Sequence, residues 1–224
     1  MHGLDKFEKI WADMATTKEL PNRNRAGIRQ EDWSNWAPTP LEDIDSTFAL
    51  QQYLQEQIRQ DSSAITKLIQ VPDTQDEDTW QYEHLRQTCL ELNTLVVMLE
   101  PDCTYETCPE MKADEWMYLC AAHLTPQSCC AMDYIIHTLD GTTALMNSPK
   151  FFPSRISMPE GSTKHFSNIA RRLYRIFAHS YYHHREIFEE FEASTHLYAR
   201  FLAFSTRFNL IQPKLIIIPR STDE

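Results

Sequence analysis

Residues 76–100, DEDTWQYEHLRQTCLELNTLVVMLE, constrain the fold more than any other stretch of this chain. Their apolar side chains recur at alternating steps of four and three, at Leu85, Cys89, Leu92, Val96 and Leu99. That spacing is typical of the buried face of an α-helix, and acidic residues in the first turn stabilise its positive end. Pro101 ends the helix, because proline cannot continue the backbone hydrogen bonding. We therefore predict a central helix on which the other elements pack.

Helical spacing is repeated before and after this stretch. Further helical segments are predicted at residues 43–59, 62–69, 131–147, 162–193 and 194–209. Asp45 or Ser46 can cap the first of them. The apolar run at residues 116–123 is too short for its period to separate a strand from a buried helix. The fold class predicted is all-α, a helix bundle with long connections.

The length and composition limit the class of protein. The chain has 224 residues, 42% of them hydrophobic, which is enough for one sizeable core. We predict an N-terminal arm, partly flexible, at residues 1–40 and a folded domain at residues 41–220. A formal net charge of -11 argues against general binding of nucleic acid or anionic lipid, since both need a cationic surface. Four glycines are too few for a glycine-rich phosphate loop.

The sequence also indicates the cellular compartment of the protein. No apolar run reaches the roughly 18 residues that cross a bilayer, and the charged N-terminus does not resemble a signal peptide. We therefore expect a cytoplasmic protein. Its six cysteines should stay reduced there, so clustered cysteines are better explained by metal than by disulfides.

Two cysteine and histidine pairs form a candidate metal site. Cys103 and Cys108 have the spacing C-x4-C, and His179 and His184 have the spacing H-x4-H. Two thiolates and two imidazoles are the donor set of a tetrahedral structural zinc site, and four protein ligands leave no open position for a catalytic water. On a regular helix positions five apart diverge by about 140 degrees, so His183 is an alternative to His184. The competing interpretation is that loop thiols and helix histidines merely pack.

Three arginines precede the first of these histidines, at Arg171, Arg172 and Arg175. Guanidinium groups bind phosphate through two parallel hydrogen bonds, so this cluster is a candidate phosphopeptide site. The alternative is that the arginines pair with acids such as Glu186 and Glu189 or face water.

Other reactive residue types are interpreted as structural. His84 and His137 lie on apolar helix patterns and are expected to pack in the core or to cap a helix. Cys129 and Cys130 are adjacent and poorly placed to pair with each other, so they are expected to be buried thiols.

Several motifs together resemble the Mob family, most closely its phocein subgroup. They are QDEDTWQYEHLRQTCLELN, CTYETCPEM, YLCAAH, DYIIHTLDG, SPKFFPSR and RRLYRIFAHSYYHHREIFEEFE. The likeness extends from about Asp45 to Pro219. It implies the Mob fold, a four-helix-bundle core with additional helices and one structural Zn2+. The family's zinc ligands fall on Cys103, Cys108, His179 and His184, and its phosphopeptide pocket falls on Arg171, Arg172 and Arg175.

The resemblance also implies a non-catalytic adaptor or scaffold. Such proteins bind a striatin-type scaffold, which joins them to a type 2A protein phosphatase and to germinal-centre kinases, and the arginine pocket would take a phosphothreonine peptide. Peripheral association with Golgi or endosomal membranes is expected.

The kinase activators of the family carry acidic residues at the start of the central helix, where they grip nuclear Dbf2-related kinases. Gln75 and Thr79 stand at those positions here, beside Trp80. The alternatives to an adaptor are an activator of those kinases and a zinc-dependent hydrolase.

Overall fold

The computed structural model describes residues 24, 26–33 and 35–219. Contacts divide the chain between Pro38 and Thr39, and a single 3-10 turn, Gln30–Asp32, is described in the first unit. Most of the predicted arm, residues 1–40, lies outside the described residues. The α-helices, both strands and the candidate sites all belong to the second unit, which begins at Thr39.

The second unit is built mostly from helices, as the periodicity predicts. The helices are α1 (Ala49–Gln60), α2 (Ile65–Leu68), α3 (Glu77–Leu99), α4 (Ala131–Met146), α5 (Glu160–Thr163), α6 (Phe166–His183), α7 (Arg185–Thr195) and α8 (Leu197–Arg207). Two short strands, β1 (Lys112–Ala113) and β2 (Trp116–Met117), pair antiparallel between α3 and α4. Short 3-10 helices occupy Leu41–Asp43 and Pro213–Leu215.

Helix α3 is the central element of the unit. Its apolar face, which includes Leu85, Leu92, Leu95 and Leu99, is fully buried, and it contacts α1, α4, α6, α7 and α8. Asp76 caps its first turn, because the carboxylate accepts hydrogen bonds from the Thr79 backbone and hydroxyl at 2.9 Å. Pro101 stands just beyond its last residue, where the sequence predicts the end.

The predicted helix at residues 162–193 is wrong in its continuity. The chain forms the short α5, then α6, and it breaks again at His184, whose φ and ψ of -139° and 54° are not helical. His184 ends α6 and begins α7. The amino acids there are compatible with helix, so the break is imposed by tertiary structure and not by local preference.

The first helix also differs from its prediction. It begins at Ala49, and its N-cap Phe48 makes no side-chain capping bond, while the Ser46 hydroxyl accepts from the Phe48 amide at 3.0 Å. Phe48 is exposed, with the Arg155 guanidinium 4.8 Å from its ring centre.

None of the helices described here has the length and apolar character that a membrane-spanning segment requires.

Candidate metal centre and cationic cleft

Cys103, Cys108, His179 and His184 are brought together in the structure, although the two pairs are far apart in sequence. Their ligand atoms all lie within 4.8 Å of one another. The Cys103 sulfur is 3.5 Å from His179 Nε2, and the Cys108 sulfur is 3.3 Å from His184 Nε2. The edges of a tetrahedron of zinc ligands measure about 3.3 to 3.8 Å, given metal bonds of about 2.0 to 2.3 Å. We name this set the first Cys/His cluster.

The end of α3 positions the two cysteines of this cluster. The Cys103 amide donates to the Leu99 carbonyl at 2.8 Å, so Cys103 continues the final turn of the helix. The Cys108 amide donates to Thr104, and the Cys108 carbonyl accepts from Ala131 at the start of α4, both at 2.9 Å. Backbone hydrogen bonds on both sides therefore hold the cysteine loop in place.

A hydrogen bond fixes the ring of His179. Its Nδ1 lies 2.7 Å from the Lys112 carbonyl oxygen of β1. Since a carbonyl only accepts, Nδ1 carries the proton and Nε2 presents its lone pair to the cysteine side. This arrangement is the outer support that metal-binding histidines commonly have.

The helix break explains the H-x4-H spacing. His184 is not helical, so its ring is not bound to the 140-degree offset expected on a regular helix. His183, the alternative left open by the spacing, stacks on His179 with ring centres 5.0 Å apart. His183 is not among the four converging residues.

The electrostatics of the first cluster favour a cation between its ligands. Burial, and then the adjacent Cys108 sulfur, raises the pKa of the Cys103 thiol well above its usual range. Burial lowers the pKa of His179 to about 4 and also lowers the pKa of His184. The imidazoles are therefore neutral near pH 7, and the Cys103 thiol lacks a positive partner that would lower its pKa. A divalent metal would supply that charge, and two sulfur with two nitrogen donors suit zinc.

The predicted arginines lie on α6, one and two turns before His179. Arg171 and Arg175 line a cleft of about 270 Å³, whereas Arg172 is exposed and is not among its lining residues. The cleft is lined by Trp116, Tyr118, Arg171, Tyr174, Arg175, Ile211, Lys214, Leu215 and Ile217. No acidic residue lines it, in a chain whose formal charge is -11.

Arg175 is held in position by two aromatic residues. Its Nη1 donates to the Tyr134 hydroxyl at 2.6 Å, and its guanidinium lies 4.8 Å from the ring centre of Tyr118. Arg171 donates to Asn168 and to the Ser167 carbonyl on its own helix. Among the ion pairs of the described residues, none involves these arginines, and Glu189 pairs with Arg185 instead.

The remaining sequence interpretations have mixed outcomes. His84 lies in the core, stacked on Phe204 with ring centres 4.8 Å apart, and burial lowers its pKa to about 3. Cys130 is buried and caps α4, accepting from the Asp133 amide at 3.4 Å. His137 and Cys129 are partly exposed, so the expectation of a packed histidine and a buried thiol is wrong for these two.

Sequence reasoning missed a second set of ligand residues. Cys120, His123, Cys129 and His137 converge with all ligand atoms within 4.8 Å of one another. The spacing C-x2-H-x5-C-x7-H was visible in the sequence and could have indicated it, because short cysteine and histidine spacings are typical of metal sites. We name this set the second Cys/His cluster.

Gln75 is partly buried and Thr79 is buried; the resemblance places them where the kinase activators carry acidic residues. Thr79 is buried, where it bonds to the capping Asp76, and Trp80 packs with Leu50 and Leu54 of α1. The side chain of Thr79 therefore lies in the interior and does not form part of an exposed binding surface.

The structure is a bundle of helices in which a Cys/His cluster brings together two segments that are distant in sequence, and a cationic cleft lies along one of its helices. A family model described as the Mob1/phocein family matches residues 56–219. The chain is 48% identical over 212 residues to the Drosophila melanogaster protein named MOB kinase activator-like 4, covering 94% of this chain and 95% of that protein. This chain belongs to the Mob1/phocein family.

Two further relatives show the range of the family. The Caenorhabditis elegans protein named MOB-like protein phocein is 45% identical over 206 residues, which is 92% of each chain. The Saccharomyces cerevisiae protein named DBF2 kinase activator protein MOB1 is 28% identical over 158 residues, 66% of this chain and 50% of that protein. The chain is thus much more similar to the Drosophila and Caenorhabditis relatives than to the yeast kinase activator.

Proposed function

We propose that this protein is a non-catalytic adaptor that one structural zinc ion stabilises and that binds a phosphothreonine peptide in the cationic cleft. The observation that carries the proposal is the cleft itself, which gathers Arg171, Arg175 and Lys214 without an acidic neighbour in its lining. An uncompensated cationic cleft on an acidic protein is suited to a local anion and not to a general polyanion.

The structural zinc ion would lie in the first Cys/His cluster. The donor set, the neutral imidazoles and the His179 to Lys112 hydrogen bond all suit a closed site with four protein ligands. Such a site has no coordination position left for substrate or water, which supports an adaptor over a hydrolase. The ion would join the end of α3 to the junction of α6 and α7.

The cleft has the chemistry of a phosphopeptide receptor. Arg171 and Arg175 are one turn apart on α6, so two guanidinium groups can approach one phosphate from the same side. The lining of the cleft also includes the apolar side chains of Trp116, Leu215 and Ile217. We therefore propose that the preferred peptide places an apolar side chain next to its phosphothreonine. Arg172, the third predicted residue, does not line the cleft, so we propose that it makes no direct contact with the phosphate.

The partners that we propose follow from the resemblance to phocein. They are a striatin-type scaffold, a type 2A protein phosphatase reached through it, and germinal-centre kinases that supply the phosphothreonine. The protein would act in the cytoplasm and peripherally at Golgi or endosomal membranes. Affinity purification of the tagged chain from its own cells tests this set, and recovery of Dbf2-related kinases without a striatin-type protein would contradict it.

Isothermal calorimetry tests the cleft directly. The ligands are phosphothreonine peptides with an apolar neighbour and their unphosphorylated counterparts. Charge reversal by Arg171→Glu should weaken phosphopeptide binding at least tenfold, because a charge-assisted hydrogen bond contributes about 1.5 to 3 kcal/mol. Arg172→Glu is the matched control, since it makes the same change one residue outside the cleft.

The control separates a cleft from a diffuse basic surface. Equal losses in the two variants would mean that only net charge matters and would reject the cleft. Arg171 is exposed, so its replacement should leave the thermal unfolding temperature almost unchanged. A large drop in that temperature would mean that the loss of binding reflects partial unfolding and not a lost contact with the phosphate. Arg175→Lys, which keeps the charge but loses the planar donor pair, then provides the second test.

Metal analysis tests the first cluster. His184→Ala should remove one zinc ion per chain from protein that was never exposed to acid or chelator, whereas the adjacent His183→Ala should keep it. Only His184 lies among the converging ligands, although both histidines are next to the helix break. Equal zinc content in the two variants would reject the assignment.

Activation of a Dbf2-related kinase is the second candidate, favoured by the names of two relatives. The Drosophila relative is named as kinase activator-like and the yeast relative as a DBF2 kinase activator. The buried Thr79 argues against it, because the side chain at that position cannot form an ionic contact. A kinase assay with purified Dbf2-related kinase decides between the two, and stimulation by this chain would favour the activator.

A further inference from the structure

The second Cys/His cluster has the geometry of a metal site. His123 Nε2 is 3.0 Å from the Cys129 sulfur, and His137 Nδ1 is 3.6 Å from the Cys120 sulfur and 3.9 Å from the Cys129 sulfur. These distances bracket the edges of about 3.3 to 3.8 Å that zinc bonds to sulfur and nitrogen produce in a tetrahedron. The rings of His123 and His137 lie nearly perpendicular, with centres 5.1 Å apart.

Hydrogen bonding alone accounts poorly for this arrangement. A thiol is only a weak donor and a weak acceptor, so hydrogen bonds from the Cys129 sulfur to nitrogens of both His123 and His137 would contribute little stability. A cation at the centre would satisfy all four groups together, because both sulfurs bind as thiolates and both imidazoles bind through a lone pair. Two thiolates also balance the charge of one divalent ion.

Backbone hydrogen bonds contribute to the placement of the ligands. Cys120 and Gln127 form an antiparallel bridge, with amide to carbonyl distances of 2.8 and 3.2 Å. The Cys129 carbonyl accepts from the Met111 amide at 3.1 Å. His137 lies on α4, so a helix supplies the fourth ligand and a closed loop supplies the other three.

The loop between Cys120 and Cys129 lacks an apolar interior. Residues 121–128 are all exposed except His123, which is partly buried, and Leu124 is completely exposed. An ordered loop that buries so little apolar area needs another source of stability, and small loops commonly obtain it from a metal.

We propose that Cys120, His123, Cys129 and His137 bind a second zinc ion. Thiolate and imidazole donors in a tetrahedral set select zinc over magnesium or calcium, which prefer oxygen ligands. Four protein ligands close the site, so the ion is structural.

The second ion would act locally, in contrast to the first. Its ligands span residues 120–137 alone, whereas the first cluster joins residues 103–108 to residues 179–184. Three of the four second-cluster residues are partly exposed, while three of the four in the first cluster are buried. We therefore expect chelators to remove the second ion first, with loss of loop order but little loss of helix.

Zinc counting with matched cysteine variants tests the proposal. The protein is prepared without acid or chelator, and zinc per chain is measured by inductively coupled plasma mass spectrometry. We expect two zinc ions in the unaltered chain, one in Cys129→Ser and two in Cys130→Ser, where the neighbouring helix-capping sulfur changes instead. His184→Ala should lose the other ion, so a double variant of Cys129 and His184 should lose both.

The outcomes separate the two clusters from each other. If Cys129→Ser retains the zinc content of the unaltered chain, the second site is rejected, whatever His184→Ala shows. If His184→Ala alone retains its zinc, the first site fails and the second stands. Should Cys129→Ser not fold, cobalt(II) titration of metal-free His184→Ala decides, because that variant keeps only the second cluster intact: thiolate-to-cobalt absorption that saturates at one equivalent supports the proposal, and its absence overturns it.

Discussion

Replacing Arg155 by methionine should destabilise the fold, because it leaves the buried carboxylate of Glu83 without its cationic partner. Arg155 Nε donates to Glu83 Oε1 at 2.9 Å, a second bond runs from Nη2 to the same oxygen, and Nη2 also donates to Gln51 at 2.9 Å. Glu83 is only 3% exposed, and its other oxygen has no hydrogen-bond partner. Methionine keeps much of the arginine stem but removes every donor.

The cost of Arg155→Met at pH 7 has an upper limit. An unpaired buried carboxylate can take up a proton, which from the ordinary pKa of 4.5 for Glu83 costs about 3.4 kcal/mol at pH 7. Burial already raises the pKa of Glu83 in the unaltered protein, against the opposing effect of Arg155, so part of that cost is present before the change. We therefore expect the free energy of unfolding to fall by about 2 to 3 kcal/mol, at or just below the lower end of the roughly 3 to 5 kcal/mol that breaking a buried ion pair costs.

The pH dependence distinguishes this mechanism from lost packing. Removing Arg155 raises the pKa of Glu83 further, so the folded variant binds a proton more tightly than the unfolded chain. For a carboxyl group with a raised folded pKa, the penalty is absent below the unfolded value and grows as the pH rises above it. The difference in unfolding free energy between variant and unaltered protein should therefore shrink by about 2 kcal/mol from pH 7 to pH 5.

Urea unfolding followed by circular dichroism at the two pH values measures both quantities. Arg185→Met is the control, because the Arg185 to Glu189 pair is half exposed on both sides and such pairs contribute about 0.2 to 1 kcal/mol. A cost for Arg155→Met that is the same at pH 5 and pH 7 would refute the argument from Glu83 and leave only lost packing.

Three other outcomes are expected. Leu95→Ala, on the fully buried face of α3, should lower the free energy of unfolding by about 2 to 5 kcal/mol. Val97→Ala, on the exposed face of the same helix, should change it by less than about 0.5 kcal/mol. Similar values for the two variants would contradict the assignment of the buried face. Prolonged chelation should lower the melting temperature by at least about 10 °C, since structural zinc contributes more than the few kcal/mol that such a shift requires, and an unchanged melt would remove the structural role. Acidification should release zinc as the ligands take up protons, which a colorimetric zinc indicator can follow, and full retention at about pH 4 would count against thiolate and imidazole ligands.

The sequence predicts the central helix closely, because independent local features agree there. The expected stretch, residues 76–100, became Glu77–Leu99, with the capping Asp76 on one side and Pro101 on the other. Capping chemistry, apolar period and a terminating proline all act within a few residues of the chain, so one sequence suffices to find them.

The break at His184 could not be predicted in the same way. Residues on both sides favour or tolerate helix, and nothing like a proline or glycine marks the point. The departure of a single residue from helical geometry depends on what the histidine faces across the fold, which is Cys108 of a loop about 76 residues earlier.

The second Cys/His cluster was missed for a different reason. His137 was assigned from its place on the apolar pattern of α4, and its neighbours in space, Cys120 and His123, come from a loop whose path no period describes. The 3.6 Å approach of the Cys120 sulfur to His137 Nδ1 shows that this loop lies against the helix, and a sequence pattern does not predict such a contact.

One helix carries both kinds of site. Arg171 lies two turns and Arg175 one turn ahead of His179 on α6. The Lys112 carbonyl that accepts the His179 hydrogen bond belongs to β1, which pairs with β2, the strand that carries Trp116 of the cleft lining. Under the proposed assignments, zinc and phosphopeptide therefore favour the same placement of α6 and β2. Thermodynamic reciprocity then requires that each ligand tighten the other by an equal factor, so the zinc supply of a cell would set how firmly this adaptor holds its phosphorylated partner.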